Sequence, residues 1–359
     1  MKNDTVEAGI DTICYACTLT SDQKDRILQK IKGKAGFRTE VRDYWKGRFV
    51  YTYSGWAGVR LRLRRNGEAA PWELEVIAHP ARVLGNPDRS ALYVPQKDSY
   101  REFLRRADAW LEEAAVPCAL KEMQVRRADY TQNHCFSDAE LVQAYLRILK
   151  KSRVLPHYRV EEFREEEGKT KDVREANRHS YKQSCKSAAF FTYDKTAQLA
   201  MLGEEGTKLK SGRILRLEVQ LRRKALRHWI PEKALDSGWK TVKHLGKQGD
   251  AILRWYWERL QPGGGSYVRY QTAWEQVKTV KGKKLRERMH TLLRRTSDSR
   301  NLETALKKCR EQDGWSRGQI HRVLEAFKKL DIHPITLPNH GEWEKLEIRK
   351  SAERKTSIA

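Results

Sequence analysis

The sequence predicts an α+β fold: an antiparallel sheet with flanking helices, followed by a mostly helical C-terminal region. Up to about residue 235, short runs of β-forming residues alternate with helical patterns, whereas the remainder is almost entirely helical in pattern and rich in Lys and Arg. A chain of 359 residues is also long enough for about two domains. We therefore expect one domain over residues 1–235 and a second, basic and helical, over residues 236–359.

Three runs in the first part have the composition of consecutive strands of an antiparallel meander. Residues 49–53, 59–63 and 72–78 either alternate or cluster β-branched, aromatic and aliphatic residues. Alternation of apolar and polar residues indicates a half-buried strand, because successive side chains point to opposite faces of the sheet.

A capping box opens a helix further along the chain. Ser137 and Glu140 stand three residues apart, so each side chain can satisfy a free backbone N–H near the other residue. The charged stretch from 160 to 180 is predicted to be an exposed loop or a frayed helix, and no internal repeat is visible in the sequence. By the same rules, strands are predicted at residues 125–131, 188–193 and 214–221, and helices at 99–115, 137–149, 251–260, 270–295, 302–311 and 317–330.

The charge balance favours a polyanionic partner. The 72 Lys and Arg against 47 Asp and Glu give a formal net charge of +25, which attracts nucleic acid through counterion release and electrostatic steering. The sequence has no long uninterrupted apolar run, and neither an N-terminal Met-Gly nor a C-terminal Cys box indicates lipidation. We therefore expect a nucleic-acid partner, no membrane, and a cytoplasmic location.

Three predicted strands each carry a carboxylate that could serve a divalent cation: Glu75, Asp129 and Glu218. In the run from 214 to 221, the period of two puts Glu218 on the face opposite the leucines. Mg²⁺ or Mn²⁺ prefers such hard oxygen ligands and keeps positions open for a phosphate. Charged residues are also ordinary on the solvent face of a strand, so this pattern alone leaves both interpretations open.

Tyr193 ends the predicted strand 188–193 and is followed by Asp194 and Lys195. A tyrosine suits strand transfer because its phosphodiester keeps the energy of the broken bond, and its phenol is the leaving group of the reverse step. Its ordinary pKa of about 10 means that it needs a base or a nearby positive charge. Lys195 could supply that charge or hold the phosphate, although any one of the 14 tyrosines could instead simply pack on the sheet.

Four short segments occur in one order along this basic chain: residues 74–84, 127–129, 193–195 and 215–219. In that order they resemble the gene II replication proteins of filamentous bacteriophages and, more distantly, the plasmid rolling-circle initiators. The resemblance implies a protein that nicks one strand of duplex origin DNA, stays attached through a tyrosine, and later reseals the displaced single-stranded circle. It further implies work in the cytoplasm of a bacterial host, together with a host helicase and polymerase.

Carried over residue by residue, the resemblance implies that Tyr193 is the nucleophile and that Lys195 is the lysine of the same motif. Asp129 and Glu218 match acidic positions that are expected to bind Mg²⁺ or Mn²⁺, and Glu75 matches a further acidic position. The metal would stabilise charge on the scissile phosphate while Tyr193 attacks in line.

Some assignments stay open at this point. Related nickases often use paired histidines, which this sequence lacks, so His134 is an alternative third ligand, and Tyr181 is the nearest candidate for a second nucleophile. Basic tracts at 178–186, 208–210 and 222–224 could follow the backbone of a single strand.

The alternative function is that of a non-enzymatic nucleic-acid-binding protein. In that interpretation the basic helical half binds nucleic acid, with residues 302–330 as a candidate helix-turn-helix, and the sheet is only a scaffold. This function explains the charge but not the four ordered segments.

Overall fold

Ten strands form one antiparallel sheet, which confirms the predicted α+β class. This computed structural model describes residues 5–43, 48–136, 138–162, 175–203, 213–261, 265–339 and 343–347. The strands are β1 (Thr5–Leu19), β2 (Phe37–Asp43), β3 (Arg48–Trp56), β4 (Val59–Asn66), β5 (Trp72–Ala78), β6 (Gln124–Phe136), β7 (Arg159–Glu161), β8 (Ser180–Ser184), β9 (Ala188–Asp194) and β10 (Arg213–Arg222).

Helices pack on the sheet and make up most of the C-terminal region. In chain order they are α1 (Ser21–Ile31), α2 (Pro80–Val83), α3 (Lys97–Glu113), α4 (Ala139–Lys150), α5 (Lys195–Met201), α6 (Arg223–Trp229), α7 (Glu232–Leu235), α8 (Gly238–Leu260), α9 (Tyr270–Lys278), α10 (Lys283–Ser297), α11 (Leu302–Glu311) and α12 (Arg317–Lys329). A separate pair of short strands, β11 (Tyr267–Val268) and β12 (Lys345–Leu346), joins two distant parts of this region.

The alternation of side chains gives the sheet one apolar and one polar face. On the apolar face, the ring of Tyr15 from β1 stacks with Phe103 of α3 at 6.4 Å, and Phe190 from β9 stacks with Tyr256 of α8 at 6.3 Å. These rings belong to a continuous buried core that extends from β1 to the last helices. The residues that alternate with them carry the polar groups of the opposite face.

The strand order reveals a repeat of topology. Strands follow one another as β2-β3-β4-β5-β1-β6-β10-β9-β8-β7, so the long strands β1 and β6 lie side by side in the middle. In each half, the long strand leads into a helix, α1 or α4, and then into a four-stranded meander whose last strand returns to pair with the long one. The sequence shows no such repeat, because the two halves share topology but little composition.

Helix α8 belongs to the predicted second domain but covers the sheet of the first. The Tyr130 hydroxyl and Nε2 of Gln132, both on β6, each donate to Oδ1 of Asp250 on α8 at 2.9 Å. The Leu302 N–H at the start of α11 likewise donates to the carbonyl of Lys151 at 2.9 Å. The division at residue 235 therefore falls between the sheet and a helix that packs on it, and the two domains stay a prediction.

Several predicted elements differ from those observed. The helix after β6 is capped by Asp138, which accepts from the Glu140 N–H at 2.8 Å, whereas the predicted cap Ser137 lies outside the described residues. The helix predicted over 270–295 is two helices, because Gly282 at φ +97° interrupts it with backbone that favours glycine.

Four of the strands are not predicted from the sequence: β1 in the centre, β2 at one edge, and β7 and β8 at the other edge. Strand β1 was not predicted, because Glu7, Asp11 and Thr12 interrupt its apolar residues. In the predicted loop 160–180, part of β7 and the start of β8 are strand, while residues 163–174 lie outside the described residues.

Candidate functional site

The registers of β6, β9 and β10 bring three predicted site residues onto one face. Arg216 pairs with Tyr193 across β10 and β9, and Gln220 pairs with Asp129 across β10 and β6. Directly paired residues share a face, as do residues two apart along one strand. Tyr193, Asp129 and Glu218 therefore all lie on the polar face.

Tyr193 and Glu218 are in direct contact. The Tyr193 hydroxyl donates a hydrogen bond to Oε2 of Glu218 at 3.2 Å. Burial raises the pKa of Tyr193 well above its usual value, the charge of Glu218 raises it further, and Arg216 acts in the opposite direction. Burial, with repulsion from Asp129 and Asp11, also raises the pKa of Glu218 to about 8. Glu218 contacts the phenol whose proton has to leave, so its ionised form, which the raised pKa makes more basic, can accept that proton.

Arg216 lies completely buried beside this pair and uses all three of its nitrogen atoms. Its Nε donates to Oδ1 of Asn133 at 2.8 Å, Nη1 donates to Oδ1 of Asp11 at 2.8 Å, and Nη2 donates to the carbonyl oxygen of Ser90 at 2.6 Å. These charge-assisted bonds hold the guanidinium in one place. A fixed positive charge therefore lies next to the phenol of Tyr193.

Asp11 reaches the site because β1 has a bulge between Ile10 and Thr12. Burial alone would raise the pKa of the Asp11 carboxyl, but Arg216 and His79 outweigh burial and hold that pKa well below its usual range. The Thr12 hydroxyl donates to Asp11 at 2.9 Å and lies 3.1 Å from Nδ1 of His79. Asp11 is therefore a charged counter-ion of Arg216.

Lys195 enters the same site as the first residue of α5, directly after β9. Burial lowers the pKa of Lys195 to about 8, repulsion from Arg216 lowers it further, and Asp11 and Glu218 act in the opposite direction. An ammonium group with that pKa can release and recover its proton near neutral pH.

Asp129 is 2% exposed and supplies the second carboxylate of the predicted metal site. Burial raises the pKa of Asp129 to about 7, although Arg127, 3.2 Å away, acts against the rise. Its Oδ1 and the hydroxyl of Thr131, which pairs with Glu218 across β6 and β10, are buried without a hydrogen-bond partner among the described residues. Unpaired buried oxygen atoms beside a repelling carboxylate pair fit a hard divalent cation.

The donor set for such a cation is small. No group of three or more His, Cys, Asp or Glu side chains in the described part of the chain is arranged as a metal site. A cation here would take Asp129 and Glu218 from the protein and complete its shell with water and a substrate phosphate, as Mg²⁺ commonly does.

The structure does not bring Glu75 to this site. Glu75 lies on the polar face, but its carboxylate contacts Arg64 at 3.1 Å and Arg62 at 3.5 Å. Strand β1 separates β5 from β6, so two strand spacings alone put Glu75 about 10 Å from the strand of Asp129. The carboxylate is held in an arginine cluster instead.

The two alternatives, His134 and Tyr181, lie on the apolar side. His134 pairs with Leu215, so it shares the apolar face and points away from Asp129. Tyr181 pairs with Thr192, the neighbour of Tyr193, and its hydroxyl accepts from Nε2 of Gln183 at 2.6 Å. The structure therefore places both side chains on the face opposite Tyr193 and Asp129, although Tyr181 also lines a cleft next to Tyr193.

Sequence reasoning missed three residues of the site: Asp11, His79 and Arg216. His79 stands within the segment 74–84 that carries part of the resemblance, so that segment was the available signal. Arg216 was placed correctly on the face opposite Leu215, but nothing in the sequence shows that a loop covers that face. Asp11 gave no signal, since its position depends on a bulge.

The basic tracts have mixed surroundings. Within 178–186, Lys182 forms an ion pair with Glu161. Within 222–224, Arg222 and Lys224 are exposed, while Arg223 donates to the carbonyl of Leu235 at 2.7 Å. The tract at 208–210 lies outside the described residues. In the described tracts, some basic side chains are therefore exposed and could contact a DNA backbone, while others already contact protein groups.

A cleft of about 440 Å³ opens directly beside the site. Tyr193 and Glu218 form part of its wall, together with Met201 at the end of α5 and the following Leu202. A substrate in this cleft would reach the Tyr193–Glu218 hydrogen bond from the side, while Asp129 stays beneath the surface.

Comparisons with known proteins assign no family. No family model matches the chain, and no curated protein matches it. Among solved structures, the crystal structure of DynU16, a protein of the dynemicin biosynthetic locus, covers 68% of this chain and 97% of its own length, with 9% sequence identity and a TM-score of 0.17. A likeness at that TM-score carries no argument. No helix in the described residues is long and apolar enough to cross a membrane.

Proposed function

We propose that this protein is a rolling-circle replication initiator, which nicks one strand of its origin and joins the new 5′-phosphate to Tyr193. The observation that carries the proposal is the hydrogen bond from the Tyr193 hydroxyl to Glu218, formed beside Arg216 and Lys195 at the wall of an open cleft. The net charge of +25 and the four ordered segments that resemble gene II proteins support the same function.

In the first half-reaction, Glu218 accepts the proton of Tyr193 and the phenolate oxygen attacks the scissile phosphorus. A bond forms between phosphorus and the Tyr193 oxygen, and the bond between phosphorus and the 3′-oxygen breaks. The leaving 3′-oxygen takes a proton from Lys195, whose lowered pKa of about 8 makes it an effective donor. The products are a 5′-phosphotyrosyl end and a free 3′-hydroxyl, and resealing is the reverse reaction.

Positive charge offsets the charge that develops on the phosphate. Arg216 cannot move, because three acceptors hold it, so its field at Tyr193 is in place before the substrate arrives. Asp129 and the Oε1 atom of Glu218, which is not the oxygen that contacts Tyr193, would hold Mg²⁺ or Mn²⁺, and a bound cation would lower the pKa of Glu218. Such a cation, when bound, supplies further charge to the non-bridging oxygen atoms of the phosphate.

The remaining partners follow from the same proposal. A host polymerase would extend the 3′-hydroxyl and a host helicase would separate the strands, in the cytoplasm of a bacterial host. The helical region over 236–359 would bind duplex origin DNA, with basic residues such as those of α10 (Lys283–Ser297) facing the phosphates.

The topological repeat supplies a matched pair of variants to test this function. Glu218→Gln removes the base beside Tyr193, whereas Glu75→Gln alters the corresponding strand of the other half, outside the site. A library of supercoiled plasmids made from the genome that carries this coding sequence serves as substrate, with Mg²⁺ or Mn²⁺. We expect open-circle product from wild type and Glu75→Gln, and at least a hundredfold less from Glu218→Gln, since loss of a general base costs about 10²–10⁴-fold.

The alternative function gives a different result in the same assay. If wild type binds the library but produces no open circles at any Mg²⁺ or Mn²⁺ concentration, the protein is a nucleic-acid-binding protein without nicking activity. Equal nicking by Glu218→Gln and wild type would contradict the role of Glu218.

A further inference from the structure

The cleft beside Tyr193 has a wall that the nicking chemistry does not use. Phe191, Met201 and Leu202 form its apolar part, and Lys182 lies among them. A cleft of about 440 Å³ falls within the ~300–1,000 Å³ typical of sites for small organic groups. It is therefore larger than attack on a phosphate alone requires.

The apolar wall faces water. Met201 is 47% exposed and Leu202 is 64% exposed, and both are among the most exposed large apolar side chains of the described residues. They stand together at the end of α5, the helix that Lys195 begins. Exposed apolar side chains that line a concave surface are typical of a binding site, because a ligand removes them from water.

Phe191 lies on the same face of β9 as the nucleophile. It stands two residues before Tyr193, so the strand rise puts their Cα atoms about 7 Å apart. Nζ of Lys182, its partner across β8 and β9, lies 4.8 Å from the centre of the Phe191 ring. The cleft thus combines a ring, an aliphatic wall and the ion pair of Lys182 with Glu161, next to the group that would attack a phosphate.

We propose that the cleft is a nucleobase subsite, in which one unpaired base of the substrate strand stacks against Phe191 and the wall formed by Met201 and Leu202. This inference rests on the proposed function, because it takes the phosphate next to that base to be the one that Tyr193 attacks. The ligand is single-stranded DNA, because an unpaired base has apolar faces for such a wall. Lys182 is not counted as a phosphate contact, since it forms an ion pair with Glu161 in the same wall. A base inside a duplex cannot enter, so the nucleotide must be unstacked first.

Binding measured by fluorescence anisotropy tests the subsite without any nicking. The full chain is titrated, without metal, into labelled dT20 and into a 20-mer of abasic residues with the same backbone charge. We expect wild type to bind dT20 about tenfold or more tightly than the abasic strand, since stacking contributes to affinity and backbone charge is equal. Phe191→Ala and Leu202→Ser should each reduce that preference, and Phe191→Trp should keep it.

The controls separate this subsite from general binding and from the chemistry. Val94→Ser changes a side chain that is 49% exposed but lies outside the cleft, and it should leave the preference for dT20 unchanged. Leu202 is 64% exposed, so its replacement tests the wall even if Phe191→Ala unfolds. Equal affinity of wild type for the two strands, or an unchanged preference in both Phe191→Ala and Leu202→Ser, would overturn the subsite. Neither result depends on nicking, so the proposed function is tested separately.

Discussion

Arg216 shows how a single residue organises this site and why its role was hidden. In the sequence it alternates with leucines, as a solvated strand residue does, yet its side chain is completely buried. Its acceptors come from Asp11, Ser90 and Asn133, which are far apart in the chain. Periodicity predicts the face of a strand on which a residue lies, but it does not predict what long-range contacts cover that face.

Tyr193, Asp129 and Glu218 could be brought together from the sequence because each lies in a recognisable strand and the resemblance gives their order. Glu75 also lies in a recognisable strand, but strand order decides whether two strands are neighbours, and no local pattern contains that order. His134 lies on the face opposite Asp129 for a different reason: the two residues are five apart on β6, and an odd spacing along a strand reverses the side.

Buried His134 should make folding sensitive to acid. Burial lowers the pKa of His134 from 6.5 to about 4, so the unfolded chain takes up a proton in a range where the folded protein does not. The free energy of unfolding is therefore not reduced by His134 above pH 6.5. It decreases as the pH falls towards 4, by up to about 3 kcal/mol, because protonation of His134 favours the unfolded chain. We expect His134→Leu to reduce this acid sensitivity.

Urea unfolding between pH 4.5 and 8 measures the effect. His228→Leu, which changes an exposed histidine, is the control and should keep the pH dependence of wild type. An identical pH dependence in His134→Leu and wild type would show that the ring is not buried in its neutral form.

At the scale of elements, most alternating strands were predicted, whereas the interrupted β1 and also the alternating β2 (Phe37–Asp43) were not. The meander of β3, β4 and β5 and the later strands β9 and β10 show clear β-type runs, whereas β1 contains polar residues and a bulge. Those irregular features are the ones that deliver Asp11 to the site. Strand β1, which is hard to predict, thus lies next to the candidate site. Sequence rules are expected to fail where the local secondary-structure preference of a segment conflicts with its function.

The contact of α8 with β6 depends on Gly249. A Cβ built at Gly249 would meet ring atoms of Tyr130 at 2.0–2.2 Å, which no side chain tolerates without movement. Since the helix and the ring are both buried, we expect Gly249→Ala to destabilise the protein by about 1–3 kcal/mol through overpacking. Thermal unfolding checks this value.

Gly318→Ala is the matched control, because its Cβ would meet nothing closer than 4.0 Å and alanine favours a helix. That variant should be as stable as wild type or slightly more stable. Equal stability of Gly249→Ala and wild type would mean that α8 does not pack on Tyr130 as described.

For the whole molecule, the two halves of the sheet share topology, but only the second half holds Tyr193, Asp129 and Glu218. In the strand registers, Glu75 takes the place that Glu218 has in the other half, and Arg64 takes the place of Tyr193. The side-chain contact is also present in both halves. Nη2 of Arg64 lies 3.1 Å from Oε1 of Glu75, and the Tyr193 hydroxyl lies 3.2 Å from Oε2 of Glu218. Cys14 likewise stands where Asp129 does. The first half thus keeps one carboxylate but has neither the nucleophile nor the second carboxylate.

The packing of α8 also bears on where the chain can be divided. A fragment of residues 1–235 lacks α8 and so exposes the apolar face around Tyr130, whereas a fragment of residues 1–261 keeps that helix. We expect the longer fragment to unfold cooperatively on heating and the shorter one to show no cooperative transition. Cooperative unfolding of residues 1–235 at the same midpoint as residues 1–261 would instead support a domain boundary at residue 235.

The central claim is that Tyr193 forms a covalent bond to DNA, and detection of the adduct tests it most directly. The full chain is incubated with Mg²⁺ or Mn²⁺ and a pool of single-stranded oligonucleotides that are randomised in sequence and labelled at the 3′ end. The products are then separated under denaturing conditions, where label migrates with the protein only through a phosphotyrosyl bond. We expect label on wild type and on Tyr181→Phe, and none on Tyr193→Phe, which keeps the ring but removes the nucleophile. Label on Tyr193→Phe, or its absence from wild type with both metals, would contradict the account.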